Sequence, residues 1–448
     1  MSRFDLTVLG AGSAGVAATR QAVEAGARVC LVEMDAVGGH YLNRGLFPVR
    51  TLLADPEFGK ARPVEWEGVR SRFHEIARNA SEALRQDLEA SGVTLLAGKG
   101  IYSGSGSLSV ETDDGKQEVQ SEQLVLAMGS AAESIVTVPF DDECVVPLDR
   151  FLDLKALPET LLILGDGVMA IETALFFNRL GVKVFLCNEH QRLIADRDPE
   201  LIDAVEKSLK QAKIKTLFNK KIASILKKPE GIDITLDGGI KFAVQTILVG
   251  YRRVGHTAGS VDAGLGIEMG DRHEVWVNER MQTSLKNLYA VGSVTGHERS
   301  LERSQEEGRV AAANALGKEK ALDPDTVPFR LHTQPPLAAV GCKVEDAHHK
   351  GFLRPVEGRY DGVLLNGSGP DAEAGGFCKL VADRESRKVI GAQILGQGAS
   401  EMLTMVMMAI QRGMTVKTLA QLSPGFGDAS QGVLEAARAC LRKLTASP

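Results

Sequence analysis

Twice in this chain of 448 residues, an apolar strand runs into a glycine-rich turn that opens a helix. That repetition limits the folds open to it. The first copy begins with the β-type run 4–10 and passes through Gly10-Ala11-Gly12-Ser13-Ala14-Gly15 into an Ala- and Val-rich helical pattern. It returns through an apolar strand at 27–32 that ends at Glu33. Strand, glycine turn, helix, strand and acid, with the acid about 20 residues past the glycines, is the order of a dinucleotide-binding unit. The glycines let the backbone approach a pyrophosphate, and the helix N-terminus offers free N–H groups and the positive end of its dipole. Glu33 would accept hydrogen bonds from ribose hydroxyls. The second copy runs from a strand at 161–164 through Gly165-Asp166-Gly167-Val168-Met169-Ala170-Ile171-Glu172 to a strand at 182–187. Its third glycine is Ala170, tolerable where helix packs on strand, and its acid position holds Asn188 with Glu189 beside it. Two units imply two nucleotides; a retained fold with a weakened site is the other reading of the second copy.

The length calls for two to four domains. A net charge of −6 without a basic tract argues against nucleic acid or an anionic membrane as partner. No apolar run nears the roughly 18 residues of a membrane helix. The first residues lead straight into a strand, so no signal peptide is expected and a cytoplasmic protein is. The six cysteines are scattered without paired or C-x-x-C spacing, which reads as buried, reduced thiols. No His/Cys cluster has metal-ligand spacing, and His348-His349 reads as solvated surface. Residues 65–91 carry helical periodicity. The stripe Met402, Met405 and Met408 reads as helix core or subunit interface.

Residues 38–53 read G-G-H-Y-L-N-R-G-L-F-P-V-R-T-L-L. They resemble the active-site segment of the flavin-dependent disulfide reductases, written G-G-T-C-L-N-x-G-C-x-P-S-K, whose two cysteines form a redox disulfide beside the flavin. The resemblance spans the chain in order. It continues through L-A-M-G-S at 126–130, T-S-L-K-N-L-Y-A-V-G-S-V at 283–294 and a helix with Glu307-Gly308 at 301–313. It ends in a C-terminal segment that is similar to the family's interface domain, and the dihydrolipoamide dehydrogenase branch is the nearest. It implies an α/β fold of two Rossmann-like nucleotide-binding domains, for FAD and NAD(P), and an α+β C-terminal dimerisation domain. The expected division is 1–150 for FAD, 151–275 for NAD(P), 276–325 returning to the FAD and central part, and 326–448 as a homodimer interface.

By the resemblance, Gly10, Gly12, Ser13, Ala14, Gly15, Glu33, Gly39, Gly129, Gly292 and Ser293 belong to the FAD site, and Gly165, Gly167 and Asn188 to the nicotinamide nucleotide. Ser293 replaces the family's aspartate, so a neutral hydrogen bond stands where a stronger charge-assisted one would be, which predicts a looser hold on FAD. Val168 stands where a tyrosine usually covers the flavin. Asn188, without an arginine pair for a 2′-phosphate, favours NAD(H) over NADP(H). Arg50 and Glu172 occupy the positions of a lysine–glutamate pair beside the flavin. They form either a hydride-side pair or a salt bridge that only joins two domains.

The thiol positions hold Tyr41 and Leu46. Alignment on S-Q-G-V-L-E-A-A puts Phe426 at the family's catalytic histidine and Gln431 at the glutamate that orients it. Disulfide exchange needs a thiolate and a base, so it is not expected. Tyr41, Leu46 and Phe426 would line an apolar, aromatic pocket on the flavin face, which either admits a flat small-molecule electron acceptor such as a quinone or is a plugged site. The expectation is an FAD-dependent, NAD(P)H-linked oxidoreductase with a non-disulfide acceptor. The alternative is a non-catalytic flavoprotein acting as a binding or assembly partner.

Overall fold

The computed structural model describes residues 3–60, 63–297, 300–347, 350–352, 354–362, 376–423 and 428–446. Backbone contacts gather them into two units: residues 1–189 with 219–322, and residues 190–218 with 323–448.

The first unit is built on β1 (Arg3–Leu9), α1 (Ser13–Glu24) and β2 (Val29–Glu33). β1 and β2 pair in parallel; β2 is buried from Val29 to Val32, and β1 is buried over its second half, Leu6 to Leu9. The short helices α2 (Gly39–Asn43) and α3 (Leu46–Ala54) follow, then α4 (Trp66–Ala90). β3 (Thr94–Ala97) extends the sheet beyond β2, and β4 (Lys99–Gly104), β5 (Ser107–Thr112) and β6 (Gly115–Leu126) complete the order β3-β2-β1-β6-β5-β4. β6 serves two partners. Its first half pairs antiparallel with β5, and its second half runs parallel to β1 and to the strand Leu288–Ala290. The helix Leu301–Ala315 crosses α1 closely: an ideal Cβ on Gly308 would lie 2.2 Å from the Ala14 carbonyl oxygen, so only glycine permits this approach.

The second glycine turn feeds a second parallel arrangement in this unit. The strands Lys183–Cys187, Thr160–Leu164, Thr246–Val249 and Val145–Pro147 lie side by side in that order. The helix α5 (Val168–Arg179) follows the turn. An aromatic cluster fixes it. Phe176 and Phe177 on α5 meet Phe151 at 5.6 and 5.7 Å, Phe151 meets Phe73 of α4 at 5.8 Å, and Trp66 of α4 meets Phe177 at 5.9 Å. Arg179 then donates to the carbonyls of Phe58 and Pro56, tying the end of α5 to the loop after α3.

In the second unit, five antiparallel strands, Phe329–Leu331, Leu337–Gly341, Val389–Leu395, Phe377–Asp383 and Pro355–Asp361, form one sheet in that order. The helices Ala399–Gln411 and Gln431–Thr445 share a core with it. The methionine stripe divides: Met402 is core, Met405 is partly buried against it, and Met408 is 59% exposed. Among the described residues, no helix is long and apolar enough to cross a membrane, and no group of His, Cys, Asp or Glu could hold a metal ion.

Candidate active site

The first glycine turn closes on itself. Gly10 takes φ 105°, and an ideal Cβ on it would lie 2.4 Å from the Ala127 carbonyl oxygen. An ideal Cβ on Gly15 would lie 1.9 Å from the Gly10 carbonyl oxygen. Gly12 is different: a Cβ there meets nothing within 4 Å. Gly12 is also the N-cap of α1, which has no side-chain cap and no acid in its first turn. Ser13 and Ala14 begin the helix above this open space, and Gly39 packs so close that its Cβ would lie 2.7 Å from the Gly12 Cα. The result is a set of helix N–H groups facing a gap that a phosphate fits. Glu33 stands at the end of β2. Its Oε2 accepts the Ala11 N–H at 2.6 Å and its Oε1 the Asp35 N–H at 2.9 Å, leaving further lone pairs for ribose hydroxyls. Burial pushes its carboxyl above the usual range against these two hydrogen bonds.

The second turn repeats the geometry. A Cβ on Gly165 would meet only the Ala170 methyl closely, at 3.1 Å, and one on Gly167 would meet nothing within 4 Å. α5 has Gly167 as N-cap, again with no side-chain cap and no first-turn acid. Asn188 lies just past the strand Lys183–Cys187 and is 3% exposed, while Glu189 beside it is exposed and pairs with Lys221 at 3.3 Å.

Between the turns, α3 and α5 bring together residues 122 positions apart. Arg50 Nε donates to Glu172 Oε2 at 2.7 Å and Nη2 to Oε1 at 2.9 Å, a bidentate fork. The Glu172 side chain is fully buried and that of Arg50 is 17% exposed. Arg50 Nη1 makes a long contact of 3.4 Å to the Tyr41 hydroxyl. Burial would lower the Arg50 pKa, but Glu172 outweighs it and holds the guanidinium charged. Leu46 opens α3 and is 9% exposed. Phe426, expected to complete this wall, lies outside the described residues; Gln431 is the first residue of the helix Gln431–Thr445.

Ser293 sits in the 3₁₀ turn Gly292–Thr295, and a Cβ on Gly129 would lie 3.7 Å from its Oγ, so these two predicted residues are neighbours. The sequence reading missed their surroundings. Ser293 shares a cavity of about 180 Å³ with Ser130, Arg252, Arg253, Arg272, Glu274 and His297, a lining with more cationic than anionic side chains. Arg253 Nε donates to Ser130 Oγ at 2.9 Å and Nη1 to Asp149 Oδ2 at 2.5 Å. Asp149 also faces His40 Nε2 at 3.7 Å. Burial alone would raise the Asp149 carboxyl, yet Arg253 and His40 hold it below its usual range. Glu307, 1% exposed, accepts the Gly292 N–H at 2.8 Å and Arg303 Nε–H at 2.9 Å, and meets His297 Nδ1 at 2.9 Å. The only local signals were Arg252-Arg253 just after an apolar strand and Glu307 in the Glu307-Gly308 pair.

Two Rossmann-like halves, each with an open anion cradle, define a flavin- and nicotinamide-type oxidoreductase fold. Residues 4–315 match the family model described as pyridine nucleotide-disulphide oxidoreductase, and residues 327–424 match that family's dimerisation domain. The chain belongs to the pyridine nucleotide-disulphide oxidoreductase family. Among curated relatives it is 28% identical to dihydrolipoyl dehydrogenase of Halobacterium salinarum over 98% of this chain and 96% of that one. It is 26% identical to the human mitochondrial dihydrolipoyl dehydrogenase, over 96% and 89%. A crystal structure of LpdA from Mycobacterium tuberculosis superposes with a TM-score of 0.87 at 23% identity over the whole of both chains. The HOCl-induced flavoprotein disulfide reductase RclA from Escherichia coli, solved as a Cu(II) complex, gives 0.80 at 23%, over 98% of this chain and 99% of that one. Homologues in this family are FAD-dependent NAD(P)H oxidoreductases, and the two cradles with Glu33 fit those two dinucleotides. The dimerisation-domain match supports a homodimer.

Proposed function

We propose that the protein holds FAD on Gly10, Gly12, Gly15 and Glu33 and NAD(H), in preference to NADP(H), on Gly165, Gly167 and Asn188. It passes electrons from the nicotinamide to a small non-disulfide acceptor of the quinone type. Residues 1–150 and 276–325 form the flavin part, 151–275 the nicotinamide part and 326–448 the interface of a cytoplasmic homodimer. The observation that carries the acceptor reading is the pair Tyr41 and Leu46 at the family's thiol positions, one an O–H donor held by Arg50 and the other apolar. Neither exchanges with a disulfide. FAD, when bound, supplies the two-electron relay. The chain's own residues orient and solvate. The Arg50–Glu172 fork presents a fixed cation toward the flavin position, and the cationic lining around Ser293 offsets the missing aspartate by attracting the cofactor's phosphates.

Anaerobic mixing with NADH and with NADPH, following the flavin absorbance, tests this. Rapid bleaching with NADH, recovery on adding duroquinone and no turnover of dihydrolipoamide are expected. A flavin that stays oxidised with both nucleotides overturns the reading and leaves a non-catalytic flavoprotein. Thiol-dependent NAD reduction by the pure protein refutes the acceptor class.

A further inference from the structure

We propose that Tyr41 is the proton donor to the acceptor, with its oxygen steadied by Arg50 and its hydrogen offered to an acceptor carbonyl. The inference rests on the non-disulfide acceptor proposed above and adds to it a residue, a bond and a direction. The guanidinium of Arg50 is fixed by two bonds to Glu172, of 2.7 and 2.9 Å, and a third nitrogen, Nη1, points to the Tyr41 oxygen at 3.4 Å. Tyr41 lies on α2, whose entry is set by Gly38 at φ 99°, and its ring lies 6.4 Å from that of Phe47. A phenol that accepts from arginine keeps one hydrogen to give. Arg50 donates to the Tyr41 oxygen, and the carboxylates of Glu302 and Glu172 also act on it through their charge. Burial raises the Tyr41 pKa, so the phenol keeps its proton at neutral pH until an acceptor draws it off.

A partly buried O–H donor beside a fixed guanidinium suits an acceptor that gains electrons on oxygen. A quinone becoming a hydroquinone takes two electrons and two protons. NAD(P)H, oxidised to NAD(P)⁺, supplies a hydride equivalent through the flavin, which is both electrons and one proton. The second proton comes from Tyr41: its O–H bond breaks as a hydroquinone O–H forms. The transient phenolate is stabilised by the Arg50 cation and regains a proton from water. A thiol chemistry would have no use for this hydroxyl.

The test compares FAD-loaded wild type with Tyr41→Phe, each reduced anaerobically by NADH. Both are mixed in a stopped-flow instrument with duroquinone or with ferricyanide, which takes one electron and no proton. Tyr41→Phe is expected to slow reoxidation by duroquinone roughly a hundredfold, at the low end for a lost general acid, and to leave ferricyanide within about twofold. The solvent deuterium effect on the wild-type quinone step should vanish in the variant. Without turnover, duroquinone should bind oxidised Tyr41→Phe roughly threefold to tenfold more weakly, the worth of one hydrogen bond. Equal quinone rates and equal binding in the two proteins overturn the role of Tyr41 and leave the acceptor class standing. A wild type that neither binds duroquinone nor is reoxidised by it overturns both.

Discussion

Glu172→Ala is the substitution that separates a structural from a chemical role for the Arg50–Glu172 pair. The carboxylate is fully buried and takes two hydrogen bonds, of 2.7 and 2.9 Å, from a guanidinium that is itself only 17% exposed. Truncation leaves that charge with the long Tyr41 contact and the charge of Glu302. Removing one partner of a buried ion pair costs roughly 3–5 kcal/mol, because the other stays desolvated. Removing both costs little, since apolar replacements of similar volume need no partner. Arg50→Met with Glu172→Leu should therefore lie closer to wild type in stability than Glu172→Ala does. Urea unfolding followed by tryptophan fluorescence reads this core directly. Trp66 lies 5.9 Å from Phe177 on α5, the helix that carries Glu172, and its Nε1–H donates to the Leu154 carbonyl at 2.7 Å. The stable double variant then decides the chemistry. If the pair orients the nicotinamide step, its flavin is reduced by NADH at least about tenfold more slowly than in wild type, as loss of a preorganised charge predicts. A Glu172→Ala cost below about 1 kcal/mol, or a double variant that costs the sum of the two singles, would refute the reasoning, because the pair would then be solvated rather than buried.

Gly12→Ala and Gly15→Ala should behave as opposites. The first adds a methyl to open space, so the protein stays folded while its FAD dissociation constant rises; the second drives a Cβ to 1.9 Å from the Gly10 carbonyl oxygen, so soluble yield or melting temperature collapses. An Ellman titration of native protein should find no fast thiol, because burial pushes Cys30, Cys187 and Cys378 up to about 12 and Cys144 and Cys440 to about 11, and all six should react after unfolding; a rapid pair in the folded protein would contradict this. Asp149 is depressed in the folded state, so its contribution to stability is complete above the unfolded value near about 3.9 and is lost as pH falls through the folded one. Asp149→Asn should accordingly flatten the acid limb of a melting-temperature profile run from about pH 6 to about pH 3, and an unchanged limb would count against the Arg253 and His40 contacts.

What the sequence determined by itself is local. The glycine turns, the strands that flank them and Glu33 are legible because a close backbone approach admits only glycine, and because a buried parallel strand is apolar on both faces. Tyr41 and Leu46 exclude a dithiol at those positions whatever the fold, since no arrangement of neighbours turns them into sulfur. Tertiary structure alone decided the rest. The resemblance paired Arg50 with Glu172, but the bidentate fork of 2.7 and 2.9 Å comes from α3 and α5 held side by side, with Arg179 at the end of α5 bonded to the carbonyls of Phe58 and Pro56 after α3. Ser293 shares one cavity with Arg252, Arg253, Arg272 and His297, which reach it from separate stretches of the chain. One methionine stripe gave a core residue, Met402, and an exposed one, Met408, from the same helical spacing. The physical reason is common to all three. Backbone conformation and burial on a strand are set within a few residues of chain, whereas the charge and solvent that a side chain meets are set by elements folded against it from far along the sequence.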